Sequence, residues 1–344
     1  MRLLVVTQKV DAQDDVLGFF HEWLRRFAAR CETVEVICLQ EGPHELPANV
    51  RVHSLGKEKG LGKLRRTLRL YRYLWRLRGR YDAVFVHMNP EYLVLAGWWW
   101  RLAGKHTLLW YSHRNVDLKL RVAAFFADVI ASSAATSFRL KTDKLRVTGH
   151  GIDTGFFKPA AGPSRERWRL VSVGRITPIK RLTTAIEALA ALRAGGIDAE
   201  LQLVGQAGPG DRAYEQDLKR QVKALSLEPY VQFAGPVPYG KMPEVYKNAD
   251  VSVNLAPTGG LDKAVLESMA AGLPTLVSNG GFAGFLGPYR QRLLFAQDDA
   301  ADLAQKLAAL YHATDRAALG AYLRGQVAAH SSLDSLIDKL ISLL

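Results

Sequence analysis

A glycine-rich stretch in the second half of the chain has the residue types that bind an anion beside hydroxyl groups. The stretch Gly259-Gly260-Leu261-Asp262-Lys263 follows an apolar run and opens a segment with apolar residues at helical spacing. Glycines at a helix start leave backbone N–H groups uncovered, and the helix dipole adds positive potential there. Lys263 can reach the same anion, whereas the Glu267 carboxylate suits hydroxyls. The stretch predicts a ligand with phosphate and sugar, although a capped helix with a surface glutamate has the same pattern.

A pair of cations lies on a second strand-to-helix loop. Arg175 and Lys180 follow the apolar run Leu170–Val173 through Gly174. Arginine offers a planar fork and lysine a point charge, so the pair can hold a diphosphate from two sides. Solvated surface charge is the simpler interpretation of this loop alone. The diphosphate interpretation gains weight because the glycine-rich helix start would lie on the same strand edge.

Apolar runs of strand length alternate with helical patterns along the whole chain. This alternation predicts an α/β protein with parallel sheets covered by helices on both faces, because parallel neighbours need a crossover helix. The first predicted helix is Val16–Ala29, and the last predicted strand is Leu293–Phe295. The other predicted strands are 3–7, 34–39, 50–54, 83–87, 107–111, 128–132, 145–148, 170–173, 200–204, 231–233, 251–255 and 275–278.

The linker-like segment Lys158-Pro159-Ala160-Ala161-Gly162-Pro163-Ser164 divides this pattern in two. We predict two Rossmann-like doubly wound domains, at residues 1–157 and 168–330, joined by a linker at 158–167. A last helix at 331–344 is expected to pack back on the first domain. Ligand crevices lie at the strand ends of such sheets, so we expect the domains to face each other across a cleft that binds the ligand.

The composition is that of an ordinary globular protein with an unusual charge. The 344 residues are 48% hydrophobic and 23% charged, with a net charge of +13. Cys31 and Cys38 lack metal-ligand or redox spacing, which favours buried thiols in a reducing compartment. The apolar runs Leu3–Val6 and Tyr92–Trp100 are too short for a signal peptide and a membrane span respectively. We therefore expect a cytoplasmic, non-spanning protein.

Positive charge is concentrated between Lys57 and Arg80, where ten Lys and Arg accompany one Glu. One predicted helix face there carries Leu64, Leu68, Tyr71 and Trp75, and the neighbouring stripe carries Arg65, Arg69, Arg72 and Arg76. A basic amphipathic helix can lie on an anionic membrane, where each cation contributes about 1 kcal/mol. The alternative is a crossover helix that packs on its own sheet with solvated arginines. Nucleic acid is not an expected partner, because no motif for it accompanies the charge.

An ordered set of short motifs resembles one enzyme family. The chain resembles the retaining, nucleotide-sugar-dependent glycosyltransferases of the GT-B fold, specifically family 4. Each motif is weak, whereas their order is specific and covers nearly the whole chain. The motifs are Gly149-His150-Gly151-Ile152-Asp153-Thr154, Val173-Gly174-Arg175, Leu203-Val204-Gly205, Phe233-Ala234-Gly235-Pro236-Val237, Ala249-Asp250-Val251 and Leu266-Glu267-Ser268-Met269-Ala270-Ala271-Gly272-Leu273-Pro274.

The resemblance implies a role for each matching residue. Arg175 and Lys180 match the basic pair on the donor diphosphate, and Glu267 matches the second Glu of an E-x7-E motif that binds the donor ribose. The backbone of Gly260 to Lys263 matches the part that contacts phosphate and donor sugar. The remaining matches are Val237 at the nucleobase, Gly18 at the first helix beside the diphosphate, and His113 near the reacting sugar.

The resemblance also implies a reaction. A sugar would pass from a nucleoside-diphosphate sugar to an acceptor hydroxyl without a metal or another cofactor, with cations and helix-start N–H groups stabilising the leaving diphosphate. The basic segment and Trp98-Trp99-Trp100 favour a lipid-linked or membrane-proximal acceptor, with the protein peripheral on the inner face of the membrane.

One departure leaves other functions open. Gly259 stands where the family has the first Glu of E-x7-E, which contacts donor-sugar hydroxyls, and Asp262 is the nearest carboxylate. A catalytically silent sugar-nucleotide-binding protein and a GT-B sugar-nucleotide epimerase therefore remain alternatives. A nicotinamide cofactor is not expected, because Thr7-Gln8-Lys9-Val10 replaces a Gly-x-Gly-x-x-Gly motif after the first strand.

Overall fold

The structure, a computed structural model, describes residues 1–159, 166–257 and 260–344. The fold separates into two compact units. The first contains Met1–Gly151, Pro238–Gly240 and Leu333–Leu344, and the second contains Ile152–Val237 and Lys241–Ser332. Positions 160–165 of the predicted linker lie outside the described residues.

The first unit is built on a sheet of seven parallel strands. Its strands are β1 (Arg2–Val10), β2 (Thr33–Glu41), β3 (Val50–Ser54), β4 (Ala83–His87), β5 (His106–Trp110), β6 (Val129–Ser132) and β7 (Leu145–Val147). Its helices are α1 (Phe20–Arg30), α2 (Lys63–Leu77), α3 (Glu91–Leu102), α4 (Leu118–Phe126) and α13 (Leu333–Ser342). The strand order is β3-β2-β1-β4-β5-β6-β7.

Apolar layers cover both faces of this sheet. In β1, residues Leu3 to Val6 are fully buried, because successive side chains point to opposite faces and each face meets helices. Helices α2, α3 and α4 pack on one face, with Leu74 and Trp100 in that layer. Helices α1 and α13 pack on the other, with Phe27 and Leu336 in that layer.

The second unit has a sheet of five parallel strands in the order β10-β9-β8-β11-β12. Its strands are β8 (Trp168–Val173), β9 (Ala199–Val204), β10 (Val231–Gly235), β11 (Val251–Asn254) and β12 (Thr275–Val277). Its helices are α5 (Leu182–Ala194), α6 (Arg212–Ala224), α7 (Met242–Lys247), α8 (Lys263–Ala270), α9 (Ala283–Leu286), α10 (Arg290–Leu293), α11 (Ala300–His312) and α12 (Arg316–His330). The predicted α/β class with two doubly wound parallel sheets is thus confirmed.

Each sheet contains one point at which the chain reverses its direction of winding. In the first sheet β2 and β3 extend to one side of β1, whereas β4 and the later strands extend to the other. In the second sheet the same reversal separates β8 from β11. Doubly wound sheets bind ligands just beyond the carboxyl ends of the two strands that flank such a point. The topology therefore marks one crevice in each unit.

Two predicted elements differ in the structure. Helix α1 begins at Phe20 rather than Val16, because the Asp14 carboxylate accepts the N–H groups of Val16 and Leu17 and holds this segment in turns. The predicted strand Leu293–Phe295 is reduced to a single bridge between Leu294 and Val277. Helix α10 occupies the preceding residues, so too little extended chain remains for a strand.

Helix α13 is held on α1 by apolar packing and ion pairs. Leu336 and Ile337 are buried in the layer that also contains Phe27. Arg30 of α1 pairs with Asp334 at 2.9 Å and Asp338 at 2.5 Å, on the exposed side of the same contact. Exposed ion pairs contribute little, about 0–1 kcal/mol each, so burial of the apolar side chains holds this helix in place.

Substitution of Ile337 by Ala is expected to lower the free energy of unfolding by about 2–5 kcal/mol, since it removes buried methyl groups from a packed layer. Lys339→Ala, on the exposed face of the same helix, is the control and should change that energy by no more than about 0.5 kcal/mol. Urea denaturation followed by circular dichroism measures both. Equal losses in the two variants would show that α13 is not part of the core.

Candidate active site

The reversal point of the five-stranded sheet brings together the two cationic segments. Strand β8 ends at Val173 and leads into Gly174, Arg175 and Lys180, while β11 leads through Gly260 into α8. β8 and β11 are hydrogen-bonded neighbours, so their carboxyl ends lie side by side. The sequence placed these segments about 80 residues apart, and the sheet makes them adjacent.

Gly174 allows Lys180 to lie across the end of β8. Its backbone has a φ of +146°, a region that side-chain-bearing residues rarely adopt. A Cβ atom at this position would lie 3.1 Å from Cε and 3.3 Å from Nζ of Lys180. The lysine side chain therefore passes directly over the glycine, and a larger residue would displace it.

An ion pair between Lys180 and Asp262 joins the two loops. The Lys180 ammonium donates to Oδ2 of Asp262, and Nδ2 of Asn254 donates to the same oxygen at 3.0 Å. Oδ1 of Asp262 accepts the Ala264 N–H at 3.3 Å and so caps α8. Burial alone would raise the pKa of Asp262, but the Lys180 charge and these hydrogen bonds lower it below its ordinary value.

These contacts bear on the hypothesis that Asp262 replaces the missing glutamate. Both carboxylate oxygens of Asp262 have partners within the protein, so the residue acts as an anchor for Lys180 and as a helix cap. That arrangement weakens the idea of Asp262 as an open contact for a sugar hydroxyl. Gly259, predicted to contact the donor, lies outside the described residues.

A second ion pair lies one turn into α8. Lys263 Nζ is 2.9 Å from Oε1 of Glu267, and the Tyr246 hydroxyl lies 3.3 Å from Oε2. Burial lowers the pKa of Lys263, and the Glu267 carboxylate opposes that change. Glu267, predicted to bind the donor ribose, is therefore a buried carboxylate with a partner on each oxygen.

The other predicted donor residues of this unit lie around the same edge. Arg175 is exposed and makes no ion pair with any described residue. The Gly260 carbonyl accepts from Asn279 at 2.8 Å, which fixes the loop, and Leu261 beside it is half-buried. Val237 is half-buried on the loop that follows β10.

Two predicted site residues belong to the first unit. Gly18 is buried immediately before α1, and its N–H donates to the Asp14 carbonyl at 3.2 Å. A Cβ at Gly18 would lie 2.5 Å from that oxygen, so packing requires the glycine. His113 is exposed beyond the end of β5, where its Nδ1 accepts the Asn115 N–H at 3.1 Å.

Sequence reasoning missed three side chains that support this site. Asn254 holds Asp262, Asn279 holds the Gly260 carbonyl, and Tyr246 contacts Glu267. Asn254 and Asn279 are buried and follow apolar strand runs, a position at which a polar residue signals a role at the strand edge. Tyr246 gives no such signal, since its α7 pattern fits ordinary packing.

The described ranges contain no cluster of three or more His, Cys, Asp or Glu side chains placed to hold a metal ion. No helix within them has both the length and the apolar character to cross a bilayer. The expectation that the reaction needs no metal stays a prediction.

Comparison with known proteins relates the chain to enzymes that transfer sugars. A family model described as "Glycosyl transferases group 1" matches residues 154–325. The putative colanic acid biosynthesis glycosyltransferase WcaL of Escherichia coli is 29% identical over 176 residues, which is 48% of this chain and 42% of that protein. A GDP-mannose-dependent α-(1-6)-phosphatidylinositol monomannoside mannosyltransferase of Mycobacterium tuberculosis is 30% identical, over 65% of this chain and 61% of that protein. The chain spans about half the length of the first curated relatives it matches, 42–50%.

Solved structures share the fold over the full length. Anabaena HepE, determined in complex with UDP and glucose, superimposes with a TM-score of 0.78 and covers 99% of this chain and 98% of its own at 17% identity. Sucrose-phosphate synthase from Thermosynechococcus elongatus gives a TM-score of 0.74, covering 100% and 98% at 18% identity. The two-domain GT-B architecture predicted from the sequence is confirmed.

Asp262→Asn should lower the free energy of unfolding by about 1–3 kcal/mol at pH 7, because Asn keeps the helix cap but leaves the Lys180 charge without its carboxylate. The folded-state pKa of Asp262 is lowered, so its contribution is fully present above the ordinary Asp pKa of about 3.9, begins to fall below it and is lost as the pH falls through the lower folded-state pKa. Urea denaturation at pH 7 and at pH 3.5 should therefore show a difference that shrinks in acid. The control Asp217→Asn removes an exposed partner of Arg220 and should have little effect. A pH-independent difference would contradict the role of this charge pair.

Proposed function

Because this chain belongs to the group 1 glycosyl transferases, we propose that it transfers a sugar, with retention of configuration, from a nucleoside-diphosphate sugar to an acceptor hydroxyl. The observation that carries the proposal is the convergence of Arg175, Lys180 and the start of α8 at one reversal point of the second sheet. These groups supply positive potential where a diphosphate would bind and leave. The similar HepE protein holds UDP and glucose, and the mycobacterial relative is described as GDP-mannose-dependent, which supports a nucleotide-sugar donor.

The contacts of Lys180 fit a cation that holds a leaving diphosphate. An ammonium has three donors, and Asp262 occupies one of them, so two remain for diphosphate oxygens. Asp262 also fixes the direction of the lysine, which would otherwise lose rotamer entropy on binding the donor. Arg175 is exposed and can turn its planar fork to the other side of the same anion.

We expect Arg175→Ala and Lys180→Ala each to lower the rate of donor turnover by about 10²–10³-fold, since each removes a charge that stabilises the leaving diphosphate. The assay follows hydrolysis of UDP-, GDP- and ADP-sugars, and calorimetry with the matching nucleoside diphosphates reports donor binding. Arg220→Ala, which removes an exposed cation of α6, serves as the control.

The same measurements separate the alternative functions. Binding of a nucleoside diphosphate without hydrolysis or transfer in any condition would favour a catalytically silent binding protein. Conversion of the donor into a different nucleotide sugar would favour an epimerase. Full turnover in Lys180→Ala would contradict the proposed site.

The acceptor is proposed to be lipid-linked or close to a membrane, because α2 and α3 expose an apolar patch. The patch consists of the exposed side chains Leu64, Leu68, Trp75 and Trp98 together with the half-buried Tyr71 and Trp99, which pack against the core. Leu64, Leu68 and Trp75 of α2 are 74%, 61% and 58% exposed, although a different set of leucines, including Leu74, packs this helix on its sheet. The crossover-helix interpretation of α2 therefore accounts for its buried leucines, and its exposed apolar face supports the proposed membrane contact.

Aromatic rings contact one another within this patch, and arginines lie beside it. Trp75 and Trp99 meet edge to face with ring centroids 6.2 Å apart, and Tyr71 and Trp98 lie 6.3 Å apart. Arg65, Arg72 and Arg76 of α2 are exposed beside the patch, whereas Arg69 is half-buried. Indole rings with neighbouring cations suit the headgroup region of an anionic membrane.

Neutralising Arg65, Arg69, Arg72 and Arg76 with Gln should abolish flotation with vesicles that contain anionic lipid, since each cation near the surface contributes about 1 kcal/mol. The matched control neutralises four exposed cations of α6, which are Arg212, Lys219, Arg220 and Lys223. The wild-type protein and the α6 variant should float at low salt and less at high salt. Equal flotation of the α2 and α6 variants would refute a specific membrane surface.

A further inference from the structure

A cavity of about 380 Å³ lies in the first unit at the carboxyl edge of the seven-stranded sheet. Gln8 of β1 and Asn89, which follows β4, both line it, so the cavity is located at the reversal point of this sheet. The remaining wall comes from the ends of β2 and β3 and from α2 and α3. The position is the ligand crevice expected for a doubly wound sheet.

One end of the cavity has groups suited to hydroxyls. The Gln8 and Asn89 side chains carry amides, which both donate and accept hydrogen bonds. Glu91 also lines this region, and its carboxylate pairs with Lys119 at 3.0 Å. Because the Lys119 ammonium offsets the charge of the Glu91 carboxylate, this part of the cavity is polar and does not repel a bound anion.

The side wall is apolar. Leu55, Leu70 and the Tyr92 ring line it and are themselves buried in the core. Burial raises the pKa of the Tyr92 hydroxyl, while the nearby Arg66 charge acts in the opposite direction. An occupant that covers this wall would gain about 25 cal/mol for each Å² of apolar surface removed from water.

Two cations of α2 complete the lining. Lys63 and Arg66 both face the cavity, and neither forms an ion pair with a carboxylate in the part of the chain that the structure describes. The Arg66 Nε atom is buried and has no hydrogen-bond partner among those residues. A buried guanidinium N–H that lacks a partner costs stability, and a bound anion would supply the acceptor.

From this juxtaposition we infer that the cavity binds the acceptor, as a sugar joined through phosphate to a lipid chain. The phosphate contacts Arg66 and Lys63, the sugar lies toward Gln8 and Asn89, and the first part of the chain covers the leucine wall. The inference rests on the proposed function, because it assigns the acceptor of that reaction.

The boundary of the cavity favours a lipid-linked phosphate over a free one. Leu95 of α3 lines the cavity, and its carbonyl accepts the Tyr71 hydroxyl at 2.7 Å. The half-buried Tyr71 ring contacts the exposed Trp98 of the apolar patch, with ring centroids 6.3 Å apart, so the cavity wall adjoins that patch. A chain that leaves the cavity on this side stays on apolar surface, whereas a free sugar phosphate would leave the leucine wall in water.

Calorimetry with octyl phosphate, used as monomer on the full chain, tests the assignment. Octyl phosphate should bind at least about tenfold more tightly than octyl glucoside or inorganic phosphate, since each of these lacks one of the two recognised groups. Arg66→Gln should lower the affinity for octyl phosphate about tenfold or more, because it removes a charge-assisted hydrogen bond. Thr67→Trp should lower the same affinity by a similar factor, because Thr67 lines the cavity and the larger ring would fill part of it.

Arg121→Gln is the control, because it removes the same charge from an exposed position of α4 that lines neither the cavity nor the α2 stripe. Equal loss of octyl phosphate binding in Arg121→Gln and Arg66→Gln would overturn the inference, as would equal affinity for octyl glucoside. Inorganic phosphate that binds as tightly as octyl phosphate would overturn the lipid-linked assignment.

Nucleoside diphosphate binding, measured on the same proteins, distinguishes failure of this inference from failure of the proposed function. If the wild-type protein binds a nucleoside diphosphate but not octyl phosphate, the donor site stands and the acceptor assignment is wrong. If it binds octyl phosphate but no nucleoside diphosphate or nucleotide sugar, the cavity does not serve a transferase, and both proposals are wrong.

Discussion

The candidate active site depends on one ion pair that ties two loops from neighbouring strands. Lys180 follows β8 and Asp262 precedes α8, and they meet because β8 and β11 pair in the sheet. Without the carboxylate, a mostly buried ammonium would lack a counter-charge, and without the ammonium Asp262 would keep only its helix cap and Asn254. The pair thus fixes both the start of α8 and the direction of the Lys180 side chain, the cation proposed to hold the diphosphate.

Three neighbouring residues hold the Lys180–Asp262 pair in its observed geometry. Gly174 gives the lysine side chain room, Asn254 holds the other side of the carboxylate, and Asn279 holds the adjacent Gly260 carbonyl. The two asparagines each satisfy a partly buried polar atom that would otherwise cost up to about 1–3 kcal/mol. A site built this way has its cations placed before the ligand arrives, which is the condition for electrostatic stabilisation of a leaving group.

Local sequence patterns were sufficient to predict most of the sheet elements and the motif-bearing loops. The strands Val50–Ser54 and Ala83–His87 were predicted with the bounds that the structure has, because short apolar runs between turn residues have few alternatives. Helix α12 was not predicted, because its alanines and glycines give a weak period. Its Arg324 donates to the Phe157 and Ala270 carbonyls, contacts between distant parts of the chain that no local pattern reveals. The partners of Asp262 could not be predicted for the same reason, since Lys180 lies 82 residues away.

Helix α2 shows why a hydrophobic pattern alone does not decide what a helix does. Its fifteen residues carry three kinds of surface: leucines that pack on the sheet, a stripe with Leu64, Leu68 and Trp75 that stays exposed, and cations. The sequence pattern indicated the stripe with Leu64, Leu68 and Trp75, whereas the structure shows that the sheet uses Leu70, Leu74 and Leu77. Leu70 and Leu74 point to the core because the β2 and β4 faces lie there, so the stripe that looks most amphipathic remains for a partner. The same helix contributes Arg66 to a cavity on one side and exposed apolar surface on the other, so the proposed phosphate recognition and the proposed membrane contact would use a single rigid element. An acceptor that needs both would be held by one helix, with little conformational entropy lost between the two contacts.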